Sequence, residues 1–306
     1  MNPGDEKPDA PHEPELNPPF EVAEPARLAS PLVFSSPHSG NIYPRRFLAV
    51  TRLHETTLRR SEDAYVDELL AGVTALGAPL IKARFPRSYL DLNREPYELD
   101  PRMFEGPLPP FANTRSLRVA GGLGTIARVV GQAQEIYARR VPVREAIGRI
   151  EKLYKPYHAC LRSLIERARQ RFGLAILVDC HSMPSGLLRL GTAGLSPKTD
   201  FVVGDRYGSS AAPEYVEAVE DVLRQCGYSV QRNKPYAGGF ITEHYGNPPQ
   251  DYHALQIEVN RALYMDEHNL TKSDKFAVVA AHLTKVARAL AATAAAHHSH
   301  PRAAAE

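Results

Sequence analysis

Side chains able to bind a metal or move a proton recur at the ends of apolar segments of this sequence. In "LAILVDCHS" (174–182) an apolar run ends in Asp179 and His181, and His38 follows an earlier apolar segment. Glu258 interrupts a third such segment. Open α/β sheets bind ligands at the carboxyl ends of their strands. The pattern therefore predicts a site there, and the alternative is a buried strand that simply emerges into a solvated loop.

Two histidines and one carboxylate are the ligands of hydrolytic zinc with an open position. His38 and His181 supply the imidazoles, and the carboxylate falls in "SED", as Glu62 or Asp63. An amphipathic helix is predicted over 55–76, with Glu62 central on its apolar stripe and Asp63 on the flank. A buried acid is costly unless it is paired or metal-bound. The alternative is an exposed acid stabilised by the helix dipole.

Glu258 lies between Ile257 and Val259 in a segment that reads as an interior strand. An ionised glutamate there needs a partner, or it is a catalytic base with a tuned pKa. A solvent-facing glutamate on an edge strand is the alternative.

Four arginines are candidates for binding a substrate carboxylate, since the guanidinium offers a planar fork. Each could equally be an ordinary surface charge. They are Arg87, Arg94, Arg102 and Arg261.

Strand-like and helix-like segments alternate along the chain, which predicts an α/β fold with a largely parallel or mixed sheet. Pro156 predicts a kink or break in its helix, and residues 95–125 read as a long loop. The predicted strands begin near residue 31 and cover 80–84, 88–93, 174–179, 200–204, 228–232 and 253–259. The predicted helices cover 55–76, 143–172, 213–226 and about 272–292.

Composition limits the classes of function. Among 306 residues the formal net charge is +2, which gives no support for a nucleic-acid partner. No apolar run approaches the roughly 18 residues that span a bilayer, so no membrane partner is expected. The three cysteines are widely spaced and the N-terminus lacks a signal peptide, which indicates a cytoplasmic protein.

The domain boundaries are predicted from the same composition. Residues 1–30 are rich in proline and acid and read as a disordered tail. A single catalytic domain is expected over 31–292, and a flexible tail over 293–306.

Six motifs occur in the order found in the N-formylglutamate amidohydrolase family, which the chain resembles over roughly residues 31–290. That family looks like a branch of the zinc carboxypeptidase and aspartoacylase-like superfamily. The resemblance implies a phosphorylase/hydrolase-like fold, with a mixed sheet, largely parallel at its centre, between helices. The motifs are "SSPHSG", "SEDAYVDEL", "RFPRSYLDLNRE", "VDCHS", "GGFITEHYG" and "ALQIEVNRALYMDE".

The resemblance also implies a metal site that holds one Zn²⁺. His38 and His181 match the zinc-binding histidines of the family. Members carry a Thr-Asp pair at the position of "SED", which favours Asp63 over Glu62, although the helical angle favours Glu62. Asp179 would orient a zinc-binding histidine by a hydrogen bond to the ring nitrogen that does not bind the metal.

The remaining site residues are implied in the same way. Glu258 matches the general base, and Arg87 resembles the arginine that polarises the scissile carbonyl. Asn93 and Arg94 resemble the pair that grips the α-carboxylate of the substrate.

The implied reaction is hydrolysis of N-formyl-L-glutamate, a small molecule, to formate and L-glutamate, a step that fits histidine degradation. The chain departs from the family at Pro184, where members acting on this substrate carry an arginine, and over residues 95–125. Two alternatives therefore stay open. One is a zinc deacylase or carboxypeptidase for another N-acyl amino acid or small peptide. The other is an inactive, carboxylate-binding member.

Overall fold

A seven-stranded sheet forms the middle layer of the computed structural model, which describes residues 13–131, 133–185 and 199–299. Its strand order is β1-β3-β2-β8-β11-β9-β10. The described strands are β1 (Phe20–Ala23), β2 (Leu32–Ser36), β3 (Leu80–Ala83), β4 (Phe104–Glu105), β5 (Val129–Val130), β6 (Gln134–Glu135), β7 (Val141–Pro142), β8 (Ala175–Met183), β9 (Phe201–Gly204), β10 (Val230–Arg232), β11 (Tyr252–Asn260), β12 (Met265–Asp266) and β13 (Thr271–Lys272).

The helices pack on both faces of this sheet. The described α-helices are α1 (Arg45–Val50), α2 (Glu55–Arg59), α3 (Val66–Leu69), α4 (Leu117–Ala120), α5 (Val143–Arg149), α6 (Lys155–Phe172), α7 (Pro213–Gln225), α8 (Phe240–Tyr245) and α9 (Phe276–Ser299). Short 3₁₀ segments occur at Pro14–Leu16, Ala71–Leu76, Pro101–Met103, Pro248–Gln250 and Arg261–Leu263.

The four central strands β3, β2, β8 and β11 are mutually parallel. Strand β1 pairs antiparallel with β3 at one edge, and β9 pairs antiparallel with β11 near the other. The predicted fold, a mixed sheet that is largely parallel at its centre and lies between helices, is confirmed.

Strand β8 is buried along its whole length because both faces of the sheet are covered. Alternate residues point to opposite faces. Leu177 and Ala254 face the core that includes α5 and α6, while Val178 and Leu255 face the core that includes α3, α7 and α9.

The helix predicted over 55–76 is wrong as a single element. It is divided into α2, α3 and the 3₁₀ segment, and Tyr65 in the gap has a left-handed φ of 65°. The Asp63 N–H donates to the His38 carbonyl at 3.0 Å instead of to a helical partner. The break therefore attaches Asp63 to the loop that carries His38.

The strand predicted over 88–93 is also wrong. This segment is a series of turns, in which Leu90 N–H donates to the Pro86 carbonyl. Asp91 N–H donates to the Thr125 carbonyl at 2.8 Å. The distant loop thus supplies the backbone partner that a neighbouring strand would have supplied.

Helix 143–172 forms as predicted and accommodates Pro156 through a π-helical segment, Ile150–Tyr154. The Lys155 N–H donates to the Ile150 carbonyl, five residues back. The wider turn makes room for the ring of Pro156, which also lacks the N–H that a regular helical hydrogen bond would need.

The predicted tails are longer than the structure allows. Within 1–30, Phe20–Ala23 forms edge strand β1, because its backbone pairs with β3. At the other end α9 continues to Ser299, past the predicted boundary at 292. Residues 1–12 and 300–306 lie outside the described residues.

Helix α9 is long and apolar enough over Phe276–Ala296 to cross a bilayer by length and composition, a feature not predicted from sequence. Apolar side chains on one side of it, including Leu283, Val286 and Leu290, are buried in the core shared with the sheet.

Candidate metal centre

Three side chains converge in a buried cluster at the carboxyl end of the central strands. The ligand atoms of His38, Asp63 and His181 all lie within 4.8 Å of one another, and all three residues are buried. Asp63 Oδ2 is 3.4 Å from His38 Nδ1 and 3.0 Å from His181 Nδ1. The three residues predicted as metal ligands are therefore brought together.

The opposite nitrogen of each imidazole is held by a carboxylate. His38 Nε2 lies 2.7 Å from Asp91 Oδ1, and His181 Nε2 lies 2.7 Å from Asp179 Oδ2. A carboxylate only accepts hydrogen bonds, so each Nε2 donates and each Nδ1 of the neutral ring keeps its lone pair. This is the arrangement that orients histidines bound to a metal.

The Nδ1 atom of His38 is buried and makes no hydrogen bond to any described residue. Such an atom is costly to bury without a partner. A divalent cation between His38, Asp63 and His181 would supply that partner, so the residues present fit a metal ion.

Charge at the centre also favours a cation. Burial opposes ionisation of Asp63, yet the adjacent imidazoles of His181 and His38 hold its pKa well below the usual range. Burial would lower the pKa of His181, but the carboxylate of Asp179 raises it well above the ordinary value. The centre therefore keeps an ionised carboxylate, and a metal ion bound to it would take the place of the proton that His181 otherwise carries.

Glu62 is turned away from this cluster, although the helical angle favoured it. Its Oε1 accepts hydrogen bonds from Tyr43 Oη at 2.7 Å and from Arg59 Nε at 3.2 Å. The helical angle favoured Glu62 wrongly because residues 60–65 do not form a helix.

Glu258 is the direct cross-strand neighbour of His181 in the parallel pair β11 and β8. Its Oε1 accepts a hydrogen bond from Gln256 Nε2 at 2.9 Å. Burial, opposed by the charge of His181 and reinforced by Asp63, raises the pKa of Glu258 to about 7. A carboxyl with that pKa can both accept and release a proton near neutrality.

Arg87 is also placed at the centre. Its Nη2 donates to Asp91 Oδ2 at 2.9 Å, and although burial opposes its charge, the carboxylates of Asp91, Asp63 and Glu258 raise its pKa. Among the described residues, no hydrogen bond occupies its Nε or Nη1. Arg87 thus keeps donors for another group.

Asn93 and Arg94, predicted to grip the substrate, both make hydrogen bonds to protein groups. Asn93 Oδ1 accepts from Ile241 N–H at 2.8 Å, and its Nδ2 donates to Asp179 Oδ2 at 3.2 Å. Arg94 donates from Nε to the Leu123 carbonyl and from Nη1 to the Asn93 carbonyl. These contacts orient both side chains, and their role in gripping a substrate carboxylate stays a prediction.

Two residues that support the centre were not singled out from the sequence. Asp91 falls in a segment predicted as a strand, where an acid inside the apolar stretch "YLDLN" is the one signal for it. Gln256 is fixed by Gly239 N–H, which donates to its Oε1 at 2.9 Å and so directs Nε2 toward Glu258.

Comparison with known proteins identifies relatives of the chain. Two proteins named N-formylglutamate deformylase are similar to the chain. The one from Pseudomonas putida is 29% identical over 243 residues, which cover 78% of this chain and 82% of the relative. The one from Pseudomonas aeruginosa (strain PAO1) is 30% identical over 242 residues, with 78% and 83% covered.

Solved structures give the same result. The crystal structure of N-formylglutamate amidohydrolase from Ralstonia eutropha JMP134 superposes with a TM-score of 0.85 at 39% identity, covering 91% of this chain and 99% of that one. The gene product Atu2144 from Agrobacterium tumefaciens, with a TM-score of 0.65, 17% identity and coverage of 89% and 95%, shares the fold.

A family model described as N-formylglutamate amidohydrolase matches residues 30–265, a span that contains every residue of the cluster. The chain belongs to the N-formylglutamate amidohydrolase family.

Proposed function

We propose that this protein is a zinc-dependent amidohydrolase that converts N-formyl-L-glutamate and water to formate and L-glutamate. The observation that carries the proposal is the buried cluster of His38, Asp63 and His181 with Glu258 beside it. Relatives named for this activity support the choice of substrate.

His38 Nδ1, His181 Nδ1 and Asp63 Oδ2 would hold the metal. Two imidazoles and one carboxylate suit zinc with an open fourth position. When bound, zinc supplies a Lewis acid and lowers the pKa of a coordinated water to roughly 7.

The protein residues then account for the proton transfers. Glu258 accepts a proton from water as the water oxygen adds to the formyl carbon. Arg87 donates a hydrogen bond to the carbonyl oxygen as negative charge develops there. Glu258 returns the proton to the leaving nitrogen and the C–N bond breaks. The acidic proton of the resulting formic acid passes to the amine, so that formate and the protonated amine of L-glutamate separate.

A cytoplasmic location and a small-molecule substrate are part of the same proposal. Cys160, Cys180 and Cys226 are all free thiols, which suits a reducing compartment. Zinc-dependent hydrolysis of an acyl amino acid requires no macromolecular partner.

The test is release of formate and glutamate from N-formyl-L-glutamate by metal-analysed protein, with and without a chelator. N-formyl-L-aspartate and N-acetyl-L-aspartate serve as competing substrates, because Pro184 replaces an arginine of the family motif. Chelator-sensitive turnover that prefers N-formyl-L-glutamate is expected. Preference for another acyl amino acid would overturn the substrate, and turnover that resists metal removal would overturn the metal.

A further inference from the structure

Arg261 is a buried cation that the proposed reaction does not use. It is 6% exposed and lies just after β11, in the motif "EVNRAL". The sequence marked it as a candidate for binding a substrate carboxylate. Its donors instead contact the protein around the metal centre, so its role must be sought there.

The guanidinium of Arg261 connects three parts of the chain. Nε donates to Ser182 Oγ at 2.9 Å, Nη2 donates to Asp63 Oδ1 at 3.1 Å, and Nη1 donates to the Arg60 carbonyl at 2.9 Å. Ser182 belongs to β8, whereas Arg60 and Asp63 belong to the irregular segment between α2 and α3. Arg261 therefore fastens that segment to the central strand.

These contacts divide the two oxygens of Asp63 between different tasks. Oδ1 accepts from Arg261 and also from Ser182 Oγ at 3.2 Å. Oδ2 is left facing the Nδ1 atoms of His38 and His181. A planar guanidinium that binds several acceptors at once fixes orientation as well as distance.

We propose that Arg261, with Ser182, is a positioning residue that holds Asp63 with a single oxygen directed at the metal. This inference rests on the proposed function, because it assumes that Asp63 binds a metal. Partners of metal ligands commonly contribute about 10–100-fold to metal affinity.

Electrostatics alone predicts the opposite sign. A positive charge beside a divalent cation repels it, so removal of Arg261 should strengthen metal binding if the charge were all that mattered. Loss of orientation should weaken it. The direction of the change in zinc affinity therefore distinguishes positioning from simple charge.

The experiment measures the zinc dissociation constant by competition with a chromophoric chelator, together with the melting temperature of the metal-free protein. The variants are Arg261→Met, Arg261→Lys and Ser182→Ala. Arg232→Met is the matched control, because it removes an arginine–carboxylate pair (with Glu220) at edge strand β10.

We expect Arg261→Met to weaken zinc binding about 10–100-fold, and Arg232→Met to leave it unchanged. Lysine keeps the charge but cannot reach three acceptors, so Arg261→Lys should also lose affinity. Wild-type affinity in Arg261→Lys, or tighter binding in Arg261→Met, would overturn the positioning role.

If Arg261→Met does not fold, Ser182→Ala decides, since it removes one hydrogen bond to Asp63 Oδ1 and leaves the charge in place. Weaker zinc binding by this variant supports the inference, and unchanged binding overturns it. The wild-type measurement separates the two proposals. A wild type that binds no zinc refutes the proposed function and the inference with it, whereas normal binding in every variant refutes the inference alone.

Discussion

Replacing Glu258 by glutamine tests the centre in two independent ways, through turnover and through stability. Glutamine has nearly the same shape and can still accept the hydrogen bond from Gln256, but it cannot take a proton from water. Loss of a general base commonly costs on the order of 10²–10⁴ in turnover. Bound zinc should be retained, because Glu258 is not among the three grouped ligands.

The same substitution should stabilise the metal-free protein above neutral pH. Burial raises the pKa of Glu258 from 4.5 to about 7 in the folded state. Folded protein thus binds this proton more tightly than unfolded protein does, and wild-type stability falls as pH rises from 4.5 through 7. At about 1.4 kcal/mol per pKa unit, the full effect is about 3 kcal/mol.

The assay is urea unfolding of chelator-treated protein between pH 4.5 and 8.5. The advantage of Glu258→Gln over wild type should grow across this range and level off above pH 7. Glu220→Gln is a control whose stability difference from wild type should stay nearly constant over this range. Hydrogen bonds from Arg232 overcome the burial of Glu220 and lower its pKa, so its contribution is present above the unfolded pKa and lost as pH falls.

Two results would refute this reasoning. A stability difference between Glu258→Gln and wild type that does not change with pH would mean that folding does not raise the pKa of Glu258. A Glu258→Gln turnover within a few-fold of wild type would remove Glu258 from the chemistry.

Three further predictions concern the support of the metal. Asp91→Asn should weaken zinc binding about 10–100-fold, since His38 Nε2 loses its carboxylate acceptor; chelator competition measures this, and unchanged affinity would contradict it. Gly239→Ala should lower both zinc affinity and turnover, because a Cβ would lie 2.4 Å from the carboxamide of Asn93, whereas Gly121→Ala meets only ordinary contacts and should behave as wild type. Zinc at 100 times its dissociation constant should raise the unfolding free energy by about 2.7 kcal/mol over the metal-free protein; a melting temperature that ignores zinc would count against a folded-state site.

The centre of the fold could be predicted because its sequence signals are local. Strands β2, β8 and β11 read as apolar runs, since parallel strands buried on both faces need apolar residues throughout. His38 and His181 follow or end such runs, so their meeting at one edge of the sheet followed from topology.

The parts that were missed depend on partners distant in the sequence. Asp63 N–H bonds to the His38 carbonyl, and this interrupts a helical pattern that looked continuous. Asp91 N–H bonds to the Thr125 carbonyl, and this replaces the strand predicted over 88–93 by turns. Edge strand β1 is only four residues long, so the alternation of Phe20 and Val22, which pack on the core, is too short a pattern to stand out in a proline-rich segment.

The register of β8 and β11 sets Asp179 opposite Gln256 and His181 opposite Glu258. The hydrogen bonds between these two strands therefore set the distance between the proposed base, Glu258, and the proposed metal ligand, His181. A substitution in a loop cannot change that distance. Side chains alternate between faces, so one residue inserted early in β11 would turn Glu258 into the opposite, apolar core. Substitutions in the surrounding loops can therefore reshape the site without changing the separation of Glu258 and His181, which only a shift in strand register alters.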